Sequence, residues 1–212
     1  GGRTIAGSVR ISGAKNAVLP IMAAAILTRE KSVIHNVPYL QDVVTMMKIL
    51  THLGVKVTFD SGTLVIDPSA IERVDAPYEF VRTMRASISL LGPMVARSGG
   101  ACFSLPGGCV IGSRPIDLHL KGLEKLGVKV AIEDGYIKAD ASDGLRGGYI
   151  FLGGHFGSSV LATCNVMSAA VLAHGETVIE FAACEPEVAD LAGFLNAMGG
   201  EVNGAGSPLI SI

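Results

Sequence analysis

Residues 105–118, LPGGCVIGSRPIDL, combine residue types suited to chemistry on an anionic substrate. Glycines surround the thiol of Cys109, and Arg114 follows shortly before a helical pattern. Glycine permits backbone conformations that other residues rarely adopt, so this segment is expected to place Cys109 on a loop. A guanidinium binds a carboxylate or phosphate and favours the thiolate of a nearby cysteine. Taken alone, the segment is equally compatible with a simple turn between a strand and a helix.

A second candidate site lies in SGAKN, residues 12–16, where a strand-like segment passes into an apolar helix. Lys15 at the start of a helix opposes the helix dipole, so a purely structural role is poorly motivated. An anion held jointly by the ammonium and the helix end accounts better for it. The segment is not a nucleotide P-loop, because the glycine spacing and the Lys-Ser/Thr ending are absent.

Arg85, in TMRAS at residues 83–87, interrupts an otherwise apolar helical stretch. A buried guanidinium is costly unless an anion accompanies it. Either a structural salt bridge or an anionic substrate satisfies that requirement, and these alternatives remain open at this point.

The composition excludes several classes of protein. Of the 212 residues, 49% are apolar and 17% charged, yet the longest apolar stretch, residues 17–27, contains Pro20 and is too short to span a membrane, which takes about 20 residues. The N-terminus has no signal-peptide pattern. A net charge of −2 and 5% aromatic residues without tryptophan argue against nucleic-acid binding. The four cysteines form no CxxC and no metal-type pairing with histidine, which indicates a cytoplasmic protein with reduced thiols and no metal.

Three copies of one unit make up the chain. The sequence LGVKV at residues 53–57 returns at 126–130 and, as MGGEV, at 198–202, so the spacings are 73 and 72 residues. A fixed period indicates repeats of one supersecondary unit, here about residues 7–70, 76–141 and 146–212. Each unit is predicted to be β-α-β-α-β-β, and the chain is predicted to be a single three-repeat domain over residues 1–212.

Periodicity within the units predicts two kinds of helix. The apolar helices are predicted at residues 14–27, 80–96 and 158–173, and the amphipathic helices at 40–53, 115–126 and 187–198. The first strand of each unit is exemplified by residues 8–11 and 148–152, and Asp-Ser-Gly and Asp-Gly turns close the later hairpins. Asp42, Glu185 and Glu187 place carboxylates near the positive ends of helices. Three wholly apolar helices predict a helical centre surrounded by sheets and outer helices.

SGAKN, TMRAS and LPGGCxIGxRPxDLH, in this order and at these repeat positions, resemble the first half of the UDP-N-acetylglucosamine enolpyruvyl transferase family, the UDP-N-acetylglucosamine 1-carboxyvinyltransferases. The resemblance runs from Gly7 to Ile212. It implies an inside-out α/β barrel that is one of two domains clamping the substrates. The implied reaction moves the enolpyruvyl group of phosphoenolpyruvate to the 3′-hydroxyl of UDP-N-acetylglucosamine and releases phosphate, the first committed step toward peptidoglycan. No cofactor is implied, and without the second three-repeat domain we expect the chain to be inactive alone.

The resemblance also implies roles for individual residues. Cys109 would protonate the methylene carbon of phosphoenolpyruvate and be the thiol that fosfomycin alkylates. Lys15 would contact the phosphate of phosphoenolpyruvate, Asn16 the sugar nucleotide, and Arg85 and Arg114 anionic substrate groups. The positions that match the uridine pocket of the family are Pro115, Asp117 and Leu118. His119, in the same motif, is expected to hold local structure.

One position departs from the pattern of the family, and three alternative functions are considered. A lysine that many members carry before a nucleotide-contacting segment has no match here, where His155 is the nearest cationic candidate. The related shikimate enolpyruvyl transferases share the chemistry, but they lack the cysteine loop. An RNA-processing relative is disfavoured by the acidic balance. A non-catalytic domain that binds a sugar nucleotide is the third alternative, and the set of Lys15, Arg85, Cys109 and Arg114 argues against it.

Overall fold

The computed structural model describes residues 2–76, 78–82, 84–105 and 116–212. The helices are α1 (Lys15–Ala24), α2 (Gln41–His52), α3 (Tyr78–Val81), α4 (Leu91–Ser98), α5 (Asp117–Lys125), α6 (Val160–Ala170) and α7 (Pro186–Ala197), with 3₁₀ helices at Ala25–Leu27 and Arg85–Leu90. The strands are β1 (Ser32–Ile34), β2 (Lys56–Asp60), β3 (Thr63–Asp67), β4 (Asp75–Ala76), β5 (Gly100–Ser104), β6 (Lys129–Glu133), β7 (Tyr136–Asp140), β8 (Tyr149–Phe151), β9 (Val178–Glu180) and β10 (Leu209–Ser211).

The apolar helices form the centre of the molecule, as the sequence predicts. Helix α6 is buried from Ala162 through Ala170 and packs against α1, α4, α5 and α7. A helix that is apolar on every side is stable only when it is surrounded by protein. Each repeat supplies one sheet, and the strand orders are β1-β3-β2, β4-β5-β7-β6 and β10-β9-β8. The observed architecture is therefore the predicted inside-out α/β barrel.

Two tight turns have the backbone that their sequences predict. Ser61 and Gly62, between β2 and β3, have φ angles of 48° and 81°, and Asp134 and Gly135, between β6 and β7, have 51° and 79°. Two consecutive positive φ angles define the turn that matches the twist of an antiparallel hairpin. In the third repeat β10 pairs with β9, as β3 does with β1, but the hairpin partner is reduced to an isolated bridge between Asn203 and Ser211.

The strand predicted at residues 8–11 is wrong. No strand is assigned there, and Val9 and Ile11 are 82% and 76% exposed. In the other repeats the equivalent strands, β4 and β8, pair in parallel with β5 and β9. In the first repeat the described residues pair β1 with β3 alone. Apolar alternation marks a segment able to form a strand, but a strand also needs a neighbour to accept its hydrogen bonds.

The helix predicted at residues 80–96 is also wrong as one continuous element. It is divided into α3, the 3₁₀ helix Arg85–Leu90 and α4. Pro93 has no N–H to donate to the preceding turn, so it is compatible with the first turn of a helix and not with its middle. Because α4 begins at Leu91, Pro93 falls in that first turn. Pro93 thus accounts for the change from 3₁₀ helix to α4. Arg85 begins its own short helix because Met84, directly before it, has an extended backbone with φ −140° and ψ 104°.

Candidate active site

A cleft of about 390 Å³ lies where several helices begin. Lys15 and Asn16 are the first residues of α1, Asp42 is in the first turn of α2, and Arg85 begins the 3₁₀ helix. The starts of α6 and α7 complete the wall, the latter through Glu187. Helix starts carry partial positive charge and unpaired N–H groups, so their convergence favours an anion. Three of the residues singled out from sequence thus share one cleft.

Lys15 forms an ion pair with Asp42. The distance between Lys15 Nζ and Asp42 Oδ2 is 2.9 Å, and their side chains are 46% and 32% exposed. Asp42, expected near a helix start, lies in the first turn of α2 with its carboxylate directed to Lys15. An ion pair this open to water contributes little to stability, so an entering anion can replace Asp42 as the partner of the ammonium.

The acidic motif at the start of α7 contributes to the same cleft. Glu185 is the N-cap residue of α7, and its side chain makes no capping hydrogen bond, whereas Glu187 lines the cleft. The cleft therefore contains two carboxylates, from Asp42 and Glu187, together with the cations of Lys15 and Arg85. This mixture can bind a ligand that carries both anionic groups and hydroxyl donors.

A buried polar network lies behind Arg85 and was missed at the sequence level. Asn165, on α6, makes hydrogen bonds to Gly92, Ile88 and His119. His119 is only 2% exposed, and burial together with the charge of Arg85 lowers its pKa from 6.5 to about 3. His119 is therefore neutral at physiological pH and holds local structure, as expected. An asparagine inside an apolar helix is the one sequence signal that pointed to this network.

The remaining candidates lie elsewhere or outside the described residues. Asp117 is exposed at the start of α5, and Leu118 is buried beside Gly154; neither lines the cleft. Cys109, Arg114 and Pro115 lie outside the described residues.

His155, the nearest cationic candidate for the missing lysine, packs edge-on against Phe156.

Cys164 is a buried thiol inside α6. Burial raises the pKa of Cys164 to about 12, and the carboxylates of Glu187 and Glu185 act in the same direction. A thiol with so high a pKa is a poor nucleophile. Within residues 2–76, 78–82, 84–105 and 116–212, no group of three metal-ligating side chains occurs, and no helix has the length and hydropathy to cross a membrane.

A family model described as EPSP synthase (3-phosphoshikimate 1-carboxyvinyltransferase) matches residues 1–212. The chain belongs to the EPSP synthase family. It has the fold of the enolpyruvyl transferases.

Solved structures support the fold. The enolpyruvyl transferase NikO from Streptomyces tendae is 24% identical, with a TM-score of 0.82, over 100% of this chain and 49% of that protein. Two structures of EPSP synthase from Acinetobacter baumannii are 17% identical, with TM-scores of 0.72 and 0.73, over 97% of this chain and 46% and 47% of those chains. The chain thus spans about half the length of the enolpyruvyl transferases that it matches.

Proposed function

We propose that this chain supplies the phosphoenolpyruvate-binding half of a UDP-N-acetylglucosamine enolpyruvyl transferase. The observation that carries the proposal is the convergence of Lys15, Asn16 and Arg85 on one cleft at the starts of four α-helices. The ammonium and guanidinium neutralise anionic groups, and the helix starts add N–H donors. Family membership supports enolpyruvyl transfer as the reaction class.

The proposed reaction is an addition followed by an elimination. The thiol of Cys109 gives its proton to the methylene carbon of phosphoenolpyruvate, and the neighbouring carbon becomes electrophilic. The 3′-hydroxyl of the sugar nucleotide attacks that carbon and gives up its proton, which replaces the one lost by Cys109, and a tetrahedral adduct forms. The carbon–oxygen bond to phosphate then breaks and a proton leaves the new methyl group, so the double bond is restored and hydrogen phosphate is released. Lys15, Arg85 and Arg114 stabilise the charge on the phosphate and carboxylate throughout.

The sugar-nucleotide half of the site is proposed from the sequence motifs. In this proposal Asn16 and the segment Pro115, Asp117 and Leu118 bind UDP-N-acetylglucosamine. The whole enzyme would close a second three-repeat domain over this cleft, act in the cytoplasm and supply peptidoglycan synthesis. None of these steps needs a metal or an organic cofactor.

A shikimate-type reaction is the second candidate, and the family description favours it, because the matching model is described by 3-phosphoshikimate. The two candidates use the same phosphoenolpyruvate chemistry and differ in the acceptor hydroxyl. Cys109 distinguishes them, since the shikimate-type enzymes lack the cysteine loop.

The decisive experiment combines fosfomycin labelling with an acceptor assay on the protein expressed from its full natural reading frame. We expect one covalent adduct by intact mass, faster with UDP-N-acetylglucosamine present, and no adduct in Cys109→Ser. Cys184→Ser is the matched control, because Cys184 is an exposed thiol outside the cleft, and it should label like the parent. Phosphate release should require UDP-N-acetylglucosamine. Release with shikimate 3-phosphate instead, without any adduct, would establish the second candidate and refute the first.

A further inference from the structure

Asn165 connects its own helix, α6, to three other helical elements through hydrogen bonds. It is fully buried in the middle of α6. Its Oδ1 accepts a hydrogen bond from the N–H of Gly92 at 2.6 Å, and its Nδ2 donates to the carbonyl of Ile88 at 3.1 Å and lies 3.0 Å from His119 Nδ1. These contacts connect α6 with the Arg85–Leu90 3₁₀ helix, the start of α4, and α5.

The hydrogen-bond partners fix the orientation of the Asn165 side-chain amide. The N–H of Gly92 can only donate and the carbonyl of Ile88 can only accept, so Oδ1 must face the first and Nδ2 the second. Nδ2 therefore also donates to His119, whose Nδ1 must be unprotonated. The imidazole is the neutral tautomer with its proton on Nε2, and a proton added at Nδ1 would face the amide N–H.

The same amide anchors the helix that presents Arg85. Ile88 lies within that 3₁₀ helix, and Gly92 is the second residue of α4, which follows it directly. A 3₁₀ helix of six residues is longer than usual, and its internal hydrogen bonds are weak in geometry, so external bonds must hold it in place. A Cβ atom on Gly92 would overlap the backbone and side-chain oxygens of Asn165, which shows how closely α4 approaches α6 here. Arg85, at the other end of this segment, lines the cleft.

We propose that Asn165 is a positioning residue for anion binding: by holding Ile88, Gly92 and neutral His119 together, it sets the direction of the Arg85 guanidinium in the cleft. Asn165 touches no substrate in this proposal and acts through Arg85. The inference rests on the proposed function, in which Arg85 binds an anionic substrate group.

The first test compares two near-isosteric changes in the protein expressed from its full natural reading frame. Asn165→Leu removes all three hydrogen bonds. Asn196→Leu is the matched control, because Asn196 also bonds one N–H and one carbonyl, both of Val202, near the far end of α7. Calorimetric titration with phosphoenolpyruvate and with UDP-N-acetylglucosamine should show affinity for at least one ligand about tenfold weaker in Asn165→Leu, equivalent to about 1.4 kcal/mol. The control should bind like the parent protein.

A double-mutant cycle with Arg85→Ala separates this inference from the proposed function. If Arg85→Ala weakens the binding of neither ligand, the assignment of Arg85 to substrate binding fails. If Arg85→Ala weakens binding and Asn165→Leu does not, the positioning role fails while the proposed function stands. The inference predicts that Asn165→Leu has no further effect on affinity once Arg85 is alanine.

Asn165→Asp provides a second readout in case Asn165→Leu does not fold. It has the same shape and keeps an oxygen for Gly92, but it places a carboxylate against His119 Nδ1. Nitrogen-15 NMR should show His119 neutral and protonated at Nε2 in the parent protein at pH 6, and doubly protonated in the variant. The affinity for anionic ligands should also fall, because a carboxylate cannot donate the hydrogen bond that Asn165 Nδ2 gives to the Ile88 carbonyl. An imidazole that stays neutral, or an unchanged affinity, would overturn the inference.

Discussion

The free energy of unfolding should fall at acidic pH because of His119, and replacing His119 should remove this part of the pH dependence. The folded state holds the imidazole neutral with a pKa of about 3, whereas the unfolded chain has the ordinary value of 6.5. Between these values the unfolded state binds the extra proton, so stability falls as pH falls through this window. Lowering the pH from about 7.5 to about 5 should remove about 2 kcal/mol of unfolding free energy through this residue alone.

The perturbation is His119→Asn, which keeps an acceptor near the position of Nδ1 for Asn165 and does not titrate. Urea unfolding, followed by circular dichroism at several pH values, gives the free energy of unfolding of each protein. All other titratable groups are common to the two proteins, so the difference between the curves isolates His119. The free energy of unfolding of the parent minus that of His119→Asn should fall by about 2 kcal/mol between about pH 7.5 and about pH 5. Parallel curves would refute the assignment of a buried neutral imidazole.

The other predictions concern packing, the cleft and thiol chemistry. Gly92→Ala should destabilise the protein by about 1–3 kcal/mol, because its Cβ overlaps Asn165, and it should lower the melting temperature measured by calorimetry. Asp42→Asn should leave stability within about 1 kcal/mol, since the ion pair is exposed, yet tighten phosphoenolpyruvate binding by freeing Lys15; weaker binding in a titration would contradict this. Cys164 should resist iodoacetamide at pH 8 until urea unfolds the chain, as followed by intact mass.

Local sequence patterns were sufficient for much of the fold. The 73- and 72-residue spacing located the three repeats, and the Ser61-Gly62 and Asp134-Gly135 turns have the expected positive φ angles. A turn depends on residues that are adjacent in sequence, and a repeat shows itself as a fixed period, so both can be read without knowing which segments meet in space.

Elements that need a distant partner were harder to predict. The pattern at residues 8–11 is that of a strand, but no hydrogen-bonded neighbour is assigned to it. The stretch around Arg85 has helical periodicity, yet Pro93 and the contact with α6 divide it. In each case the hydrogen-bond partners that the fold provides or lacks, and not the local pattern alone, decide whether a regular element forms.

The sequence by itself determined which residues carry charge and reactive groups, because chemistry is a property of residue type. Lys15 and Arg85 were identified in this way and Asn16 through the family resemblance, and the structure brings all three to one cleft. Only the tertiary structure decided their partners. Asp42 lies beside Lys15, and Asn165 is bonded to a histidine 46 positions earlier in the chain. Such pairings arise because packing three repeats around a helical centre brings helix starts together, and no local pattern encodes which side chains then meet.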